Sequence, residues 1–586
     1  MTTVIKQAAL LEVRNLSLAI KRDSQWVKIT HRVSFTLNKG ESLGLVGESG
    51  CGKSLTAQAI LRLLPQPNIK VIGGDILFHG DSLLKLNPKQ LNSIRGNKIA
   101  MIFQEPMTAL NPVFSVGAQI HEQIKIHNPS LSKKEIKCQV IDLLNDVGID
   151  FPQQRYHNYP HQLSGGMRQR VMIAMALSCK PEIIIADEPT TALDVSLQAQ
   201  VLLLLHQLQI KYNTSLIFIS HDLAVVAQVC EKAMIMYAGE IIEQGYIADT
   251  FQQPKHPYSK ALLLCTLSQR QAPRSKLPCI PASQKMNESQ QERNQRFEKI
   301  LIEFNSQKKA SQKIEQPTTN ENPILEIIGL HKHYPLPTPL FSIKKRSIHA
   351  VRNISLILRK GQTLGIVGTS GSGKSTLAKM ICGIEKMDSG TIEFQNKPLD
   401  TSNRKELSAN IQYVFQDPQE SLNSRHTVEQ LLIEPLIIHN LGSKKDQQKQ
   451  AIEIIKLVGL DVSSLARFPH EFSGGQKQRI GIARALMLKP KLLICDEPVS
   501  ALDVSVQAQI LNLLIEIQDE LQLSMVFITH DLHVVRHMAN NIAVMHEGEL
   551  IEYGPAELIC KKPQEKYTQQ LIAATPTWPI ANNALA

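Results

Sequence analysis

The sequence has no apolar run long enough to cross a bilayer: its longest, such as Val201 to Leu205, fall far short of the roughly 20 residues a spanning helix needs. The opening residues Met1 to Gln7 lack the extended apolar stretch of a secretory leader. Nine cysteines are present, yet none forms a C-x-x-C pair or joins histidines at metal-ligand spacing, which argues against a zinc site and a disulfide framework alike. A reducing cytoplasm fits these absences. Work at a membrane would require docking onto another protein that crosses it.

Charge of one sign is in modest excess, at +11 with a pI near 9.0, but Lys and Arg are spread along the chain. That balance suits a solvated surface, nucleic acid or an anionic membrane face, and excludes none of them. At 586 residues the chain is too long for one core, so two or more domains are expected.

What the chain does contain is a repeated phosphate-binding loop. Gly47-Glu48-Ser49-Gly50-Cys51-Gly52-Lys53-Ser54 fits G-x-x-x-x-G-K-[ST], and Gly368-Thr369-Ser370-Gly371-Ser372-Gly373-Lys374-Ser375 fits it again, followed by Thr376. The glycines let successive backbone N–H groups turn inward around phosphates, while Lys53 and Lys374 reach the β and γ oxygens. Ser54 and Ser375 would each place a hydroxyl on Mg²⁺. Apolar runs from Ser42 to Val46 and from Thr363 to Val367 read as buried strands entering the loops, and Thr56 to Leu64 and Leu377 to Cys382 as helices leaving them.

The order of features downstream is the same in both halves. Short alternating segments between Leu10 and Phe35 suggest antiparallel strands, and Lys98 to Phe103 a strand running into Gln104. The pattern then turns helical to about residue 160, with Glu135 to Val147 at helical spacing. Ser164-Gly165-Gly166 opens another helix, a second device for facing phosphate. An apolar strand ends in Asp187-Glu188, a carboxylate pair at the strand tip where α/β proteins place their chemistry, and the next ends at His221. The counterparts are Gln416, Ser473-Gly474-Gly475, Asp496-Glu497 and His530. The offset is 321 residues at the lysines, 312 at the glutamines and 309 from the serines onward, so the first half carries short insertions before Gln104 and within its helical segment.

Boundaries follow from these landmarks: a first unit over 8–265, a polar linker over 266–322, a second unit over 323–575 and a terminal extension over 576–586. Phe297, Ile300, Leu301 and Phe304 within the linker stand at i, i+3, i+4 and i+7, enough for one short amphipathic helix, either packed on a unit or transient.

Taken together these residues resemble the ABC ATPase family over nearly the whole chain except the linker. The resemblance implies an α/β fold of two tandem cassettes, each a RecA-like core with an antiparallel β subdomain and a helical subdomain. It implies that the two phosphate loops are Walker A motifs, that Asp187 and Asp496 are Walker B aspartates holding Mg²⁺ with Ser54, Ser375, Gln104 and Gln416, and that Glu188 and Glu497 are the catalytic bases. Ser164 to Gly166 and Ser473 to Gly475 look like signature motifs, Gln104 and Gln416 like Q-loops, Ala192 to Asp194 and Ala501 to Asp503 like D-loops, and His221 and His530 like switch histidines. ATP is the implied cofactor with Mg²⁺, sandwiched head to tail so that Lys53 pairs with Ser473 and Lys374 with Ser164. Tyr334 can stack on adenine in the second cassette; the first holds Ile20 at that place, with Trp26 as the substitute. Cys51, inside a loop, reads as a tolerated small residue whose modification would block nucleotide.

The tails point to a branch. Pro254-Lys-His-Pro-Tyr258-Ser-Lys-Ala-Leu-Leu263 and Pro563-Gln-Glu-Lys-Tyr567-Thr-Gln-Gln-Leu-Ile572 are similar to the tail of oligopeptide and dipeptide importer ATPases, of the fused kind that also admits peptide-nucleotide antibiotics such as microcin C. That branch implies two integral membrane permease subunits, a periplasmic binding protein, one copy of this chain per transporter on the cytoplasmic face of the inner membrane, and no nucleic-acid partner. With only Cys265 and Cys279 near the first tail, no iron–sulfur cluster is expected. The alternative is a soluble tandem-cassette translation factor acting on ribosomes, which would also combine two cassettes, a linker and basic charge.

Overall fold

The computed structural model describes residues 9–22, 25–191, 193–267, 273–280, 290–310, 323–335, 347–500 and 502–576. Each half is built on a six-stranded, mostly parallel sheet. In the first half the strands are β1 (Ser42–Gly47), β2 (Ile99–Ile102), β3 (Ile183–Asp187), β4 (Ser215–Ser220), β5 (Lys232–Tyr237) and β6 (Glu240–Tyr246), in the order β6-β5-β1-β4-β3-β2. Only β6 runs antiparallel, against β5. β3 reads Ile-Ile-Ile-Ala-Asp and is buried at every position, as expected of a parallel strand covered on both faces. The strands β1, β4 and β3 are neighbours, so the loops that follow them emerge side by side at their C-terminal ends.

The second half repeats this with β7 (Thr363–Val367), β8 (Ile411–Val414), β9 (Leu492–Asp496), β10 (Ser524–Ile528), β11 (Asn541–His546) and β12 (Glu549–Pro555), in the order β8-β9-β10-β7-β11-β12. A separate antiparallel sheet accompanies each core: five strands between Leu11 and Ser82, and four between Pro323 and Pro398. Helices over Val116–His127 and Lys133–Asp146, and over Val428–Ile438 and Lys444–Leu457, form the helical layer, three of the four opening on a capping box (Ser132 with Glu135, Thr427 with Gln430, Ser443 with Asp446).

The helices that aim at the site are α1 (Lys53–Ile60), α2 (Gly165–Leu177) and α3 (Val195–Tyr212) in the first half, then α4 (Pro257–Cys265) in its tail. Their counterparts are α6 (Lys374–Ile381), α7 (Gly474–Leu486), α8 (Val504–Leu521) and α9 (Lys566–Ala574). α1 and α6 begin at the lysines, three residues earlier than the apolar periodicity implies, because Gly52 and Gly373 take φ of 103° and 98° and turn the chain directly into the helix. A Cβ at Gly373 would lie 2.1 Å from the Ala350 carbonyl oxygen. Glycine alone fits there.

Between the halves, α5 (Gln290–Ala310) places Phe297 at 0% exposure against Tyr237 and Tyr258, with ring centroids 5.3 and 5.2 Å away. Arg296 Nη2 donates to Tyr237 Oη at 3.0 Å and Arg293 pairs with Glu240. Of the two sequence expectations for this segment, the packed helix is the one found. The stretch 273–280 instead lies on the second half: Leu277 and Asn512 exchange hydrogen bonds of 2.9 and 2.8 Å, Arg274 donates to Gln518 at 2.6 Å and Asp519 at 2.5 Å, and Lys276 pairs with Glu516. Leu277 and Ile280 are buried there.

Candidate functional site

Each phosphate loop hangs between its central strand and the helix that follows. The lysine is buried in both and folds back onto the loop: Lys53 Nζ donates to the Gly47 and Glu48 carbonyls at 2.7 and 2.9 Å, Lys374 Nζ to those of Gly368 and Thr369 at 2.9 and 2.8 Å. Burial lowers the Lys374 pKa, against the pull of Glu497 and Asp496. A buried ammonium held by loop carbonyls, with the Cys51 sulfur also 3.9 Å from Lys53 Nζ, can exchange them for a phosphate anion. Cys51 and Ser372 are both buried under their loops.

The strand-end carboxylates face these loops. Ser54 Oγ donates to Asp187 Oδ1 at 2.9 Å. Burial raises Asp187 to about 6, the Ser54 hydroxyl opposing. In the second cassette Tyr413 Oη donates to Asp496 Oδ2 at 2.5 Å, while Asp496 Oδ1 is buried with no hydrogen-bond partner among the described residues. Burial raises Asp496 as well. Hydroxyl, carboxylate and nearby amide oxygens are the hard donor set that Mg²⁺ takes, and a partnerless buried carboxylate oxygen fits a cation.

One residue further on, the second carboxylate gathers the remaining candidates. Gln104 Nε2 donates to Glu188 Oε2 at 3.0 Å, Thr191 Oγ1 donates to the same oxygen at 2.9 Å, and His221 Nδ1 lies 3.4 Å from it. In the other cassette Gln416 Nε2 donates to Glu497 Oε2 at 2.9 Å and His530 Nδ1 lies 3.3 Å from Glu497 Oε1. Burial pushes Glu188 up, but the bond and charge of His221 outweigh it and hold the group at about 2; Glu497 is lowered in the same way by His530. Burial likewise pushes both histidines down, and their glutamates raise them above 6.5 on balance. The geometry thus splits adjacent carboxylates, holding Glu188 well below the usual carboxylate range and Asp187 above it.

Ser164 and Ser473 stand exposed at the mouths of α2 and α7, each Oγ accepting from its own helix, from Met167 N–H at 3.3 Å and Gln476 N–H at 3.4 Å. Gly165 and Gly474 are exposed beside them, and Gly166 and Gly475 are buried against Leu197 and Val506. Tyr334 ends the strand Pro323–Pro335 with Lys332 Nζ 5.2 Å from its ring; in the first cassette Ile20 pairs with Val27, and Lys70 Nζ sits 4.0 Å over the Trp26 ring.

The two cassettes touch through the phosphate loops and the segments that the resemblance reads as D-loops. Ser49 donates from its N–H and its Oγ to Asp503, at 2.9 and 2.8 Å, and the Ser370 N–H donates to Asp194 at 3.3 Å. Each aspartate thereby bonds the phosphate loop of the opposite cassette. Ala192 and Ala501, which open the same two segments, lie outside the described residues. α4 packs on α8 and α9 on α3, so the tails are exchanged too. A cavity of about 760 Å³ lies at this junction, lined by Asp194 and His221 from one side and Lys374, Ser375, Glu497 and His530 from the other. The aspartates are placed by the resemblance of their segments to D-loops; that they bond the opposite loop is the structure's addition. For Tyr413, opposite Met101 in the repeat, the sequence signal was an aromatic three residues before Gln416.

Comparison with known proteins gives the family. The family model described as ABC transporter matches residues 30–191 and 351–500, and that described as Oligopeptide/dipeptide transporter, C-terminal region, matches 242–297 and 551–584. The chain is 43% identical to the glutathione import ATP-binding protein of Escherichia coli K12 over 97% of its length and 89% of the relative's, and 43% identical to that of Salmonella typhimurium over the same shares. Among solved structures, a cassette of Clostridium perfringens described as part of an ABC transporter complex aligns over 42% of this chain and 93% of its own, at 32% identity and a TM-score of 0.36. The matched tails and relatives give the ribosome-bound alternative no support. The chain belongs to the ABC transporter family, as an ATP-hydrolysing import subunit of two cassettes with the tails of oligopeptide and dipeptide transporters.

Proposed function

We propose that this subunit closes its two cassettes on a pair of ATP molecules and uses the cycle to drive uptake of short peptides or peptide-like compounds. The observation that carries the reading is the doubled tail match beside near-full-length identity to glutathione import subunits, glutathione being itself a small peptide. Lys53 and Lys374 leave their loop carbonyls for the β and γ oxygens. Ser164 to Gly166 and Ser473 to Gly475 present helix N-termini to the nucleotide of the opposite cassette, and Tyr334 stacks on one adenine. Ser54, Asp187 and Gln104, with Ser375, Asp496 and Gln416, hold Mg²⁺, which when bound neutralises phosphate charge. Glu188 and Glu497, kept ionised by His221 and His530, orient the attacking water.

Among the described residues no helix is long and apolar enough to cross a membrane. From the family and the import relatives the inferred partners are two permease subunits that cross it, with this chain peripheral on the cytoplasmic side, one copy per transporter, and an external binding protein choosing the cargo. Affinity purification of the tagged chain from detergent-solubilised cells tests this. Two multi-span membrane proteins in equal amounts are expected to co-elute; ribosomal proteins in their place would overturn it.

A further inference from the structure

The tail after the second cassette reaches back to the phosphate loop of that same cassette. Tyr567, in the first turn of α9, accepts the Thr369 N–H and donates to Thr369 Oγ1, both at 3.2 Å. Its ring is stacked on His546 at the end of β11, centroids 4.0 Å apart at 27°. Thr369 is the second residue of the loop, and its carbonyl is one of the two that Lys374 occupies. The same peptide is thus held from one side by a group that must leave when phosphate arrives, and from the other by a group that need not. The first cassette lacks the device. Tyr258 is fully buried, packed on Tyr237 and on Phe297 of α5, and its hydroxyl has no hydrogen-bond partner among the described residues; the loop residue there is Glu48 in place of Thr369.

We infer that Tyr567 is a positioning residue for the second nucleotide site: its hydroxyl fixes the first turn of the phosphate loop at Thr369, so that the loop keeps its nucleotide-binding shape once Lys374 has moved to the phosphates. The site so held takes a nucleoside triphosphate, and the inference rests on the reading of Gly368 to Ser375 as its phosphate loop. The two ATP sites differ in consequence, one latched by its tail and the other only packed against it.

The test is binding of a fluorescent ATP analogue to the full chain carrying Lys53→Ala, which leaves the second site to be read alone. Adding Tyr567→Phe removes one hydroxyl and keeps the ring on His546; loss of hydrogen bonds of ordinary net strength weakens nucleotide binding about three- to tenfold. Tyr258→Phe in the same background leaves affinity unchanged, and the loss in Tyr567→Phe is larger than any fall in its melting temperature accounts for. Unchanged affinity in Tyr567→Phe, while Lys374→Ala abolishes binding, would sink the inference and spare the site. An equal loss in Tyr258→Phe, or one that tracks a fall in melting temperature, would assign Tyr567 a purely structural part. Binding that survives Lys374→Ala would remove the phosphate-loop reading itself.

Discussion

Glu188 and Glu497 sit on a left-handed backbone: both have φ of 46°, a conformation uncommon for a residue with a side chain, and both spend their N–H on the end of the neighbouring strand, at Ile219 and Ile528. The strain turns each carboxylate from its strand toward glutamine and histidine. Replacing both with glutamine is expected to lower steady-state ATP hydrolysis by at least about 100-fold with nucleotide binding kept; a phosphate-release assay with binding measured alongside checks this, and near-normal turnover would contradict it. The Glu188–His221 pair also sets a pH dependence. Glu188 is depressed from 4.5 to about 2, so its share of stability is present above about pH 4.5 and lost as pH falls toward 2. His221 is raised above 6.5, so its share is complete below that pH and lost as pH climbs through the raised value. The stability gap between the native chain and Glu188→Gln is therefore expected to be wider near about pH 6 than near about pH 8.5, as thermal melts at the two values would register. Cys51 lies under the loop at 3% exposure with burial raising its thiol, whereas Cys138 is exposed. Maleimide labelling followed by peptide mass spectrometry should find Cys138 modified quickly and Cys51 protected until the chain unfolds.

At the scale of elements, the helix α5 shows what periodicity can and cannot deliver. Phe297, Ile300, Leu301 and Phe304 spell an amphipathic face, and that face is buried, with Phe297 and Phe304 at 0% and 7% exposure. Which surface it covers was illegible, because the partners Tyr237 and Tyr258 belong to a strand end and a tail helix that only the folded chain brings together. Truncating Phe297 to alanine costs about 3 kcal/mol of that packing. Limited proteolysis should then cut within 290–304 faster than in the native chain, and an unchanged cleavage pattern would show that α5 is held by something else. The catalytic constellation was far more legible. Strand-end carboxylates, loop lysines and histidines are fixed by local motifs, and the parallel sheet then places neighbouring strand ends together. Contacts made across the cassettes, Ser49 with Asp503 and Ser370 with Asp194, depend on docking: the motifs named the four residues, and only the folded chain shows them paired. Tyr413 was passed over because an aromatic in a buried strand reads as core until Asp496 is seen beside it.

For the whole molecule, the reciprocal aspartates tie each phosphate loop to the other half, a contact through which nucleotide in one site is expected to influence the other. Asp194→Ala with Asp503→Ala is expected to leave ATP binding within about threefold and to bring the Hill coefficient of hydrolysis toward one, since each lost hydrogen bond to a charged group weakens coupling by about 1.5–3 kcal/mol. An ATP titration of turnover decides it; undiminished cooperativity would place the coupling elsewhere. The chain between the halves adds a different property. Its 273–280 stretch is bonded to α8 of the second cassette and its α5 to the first, through Asn512, Gln518 and Tyr237. A partner tethered in this way is present at a constant local concentration, roughly millimolar for a short connection, however dilute the protein becomes. Closure of one cassette on the other is in this arrangement an intramolecular step, and its rate does not depend on how concentrated the protein is.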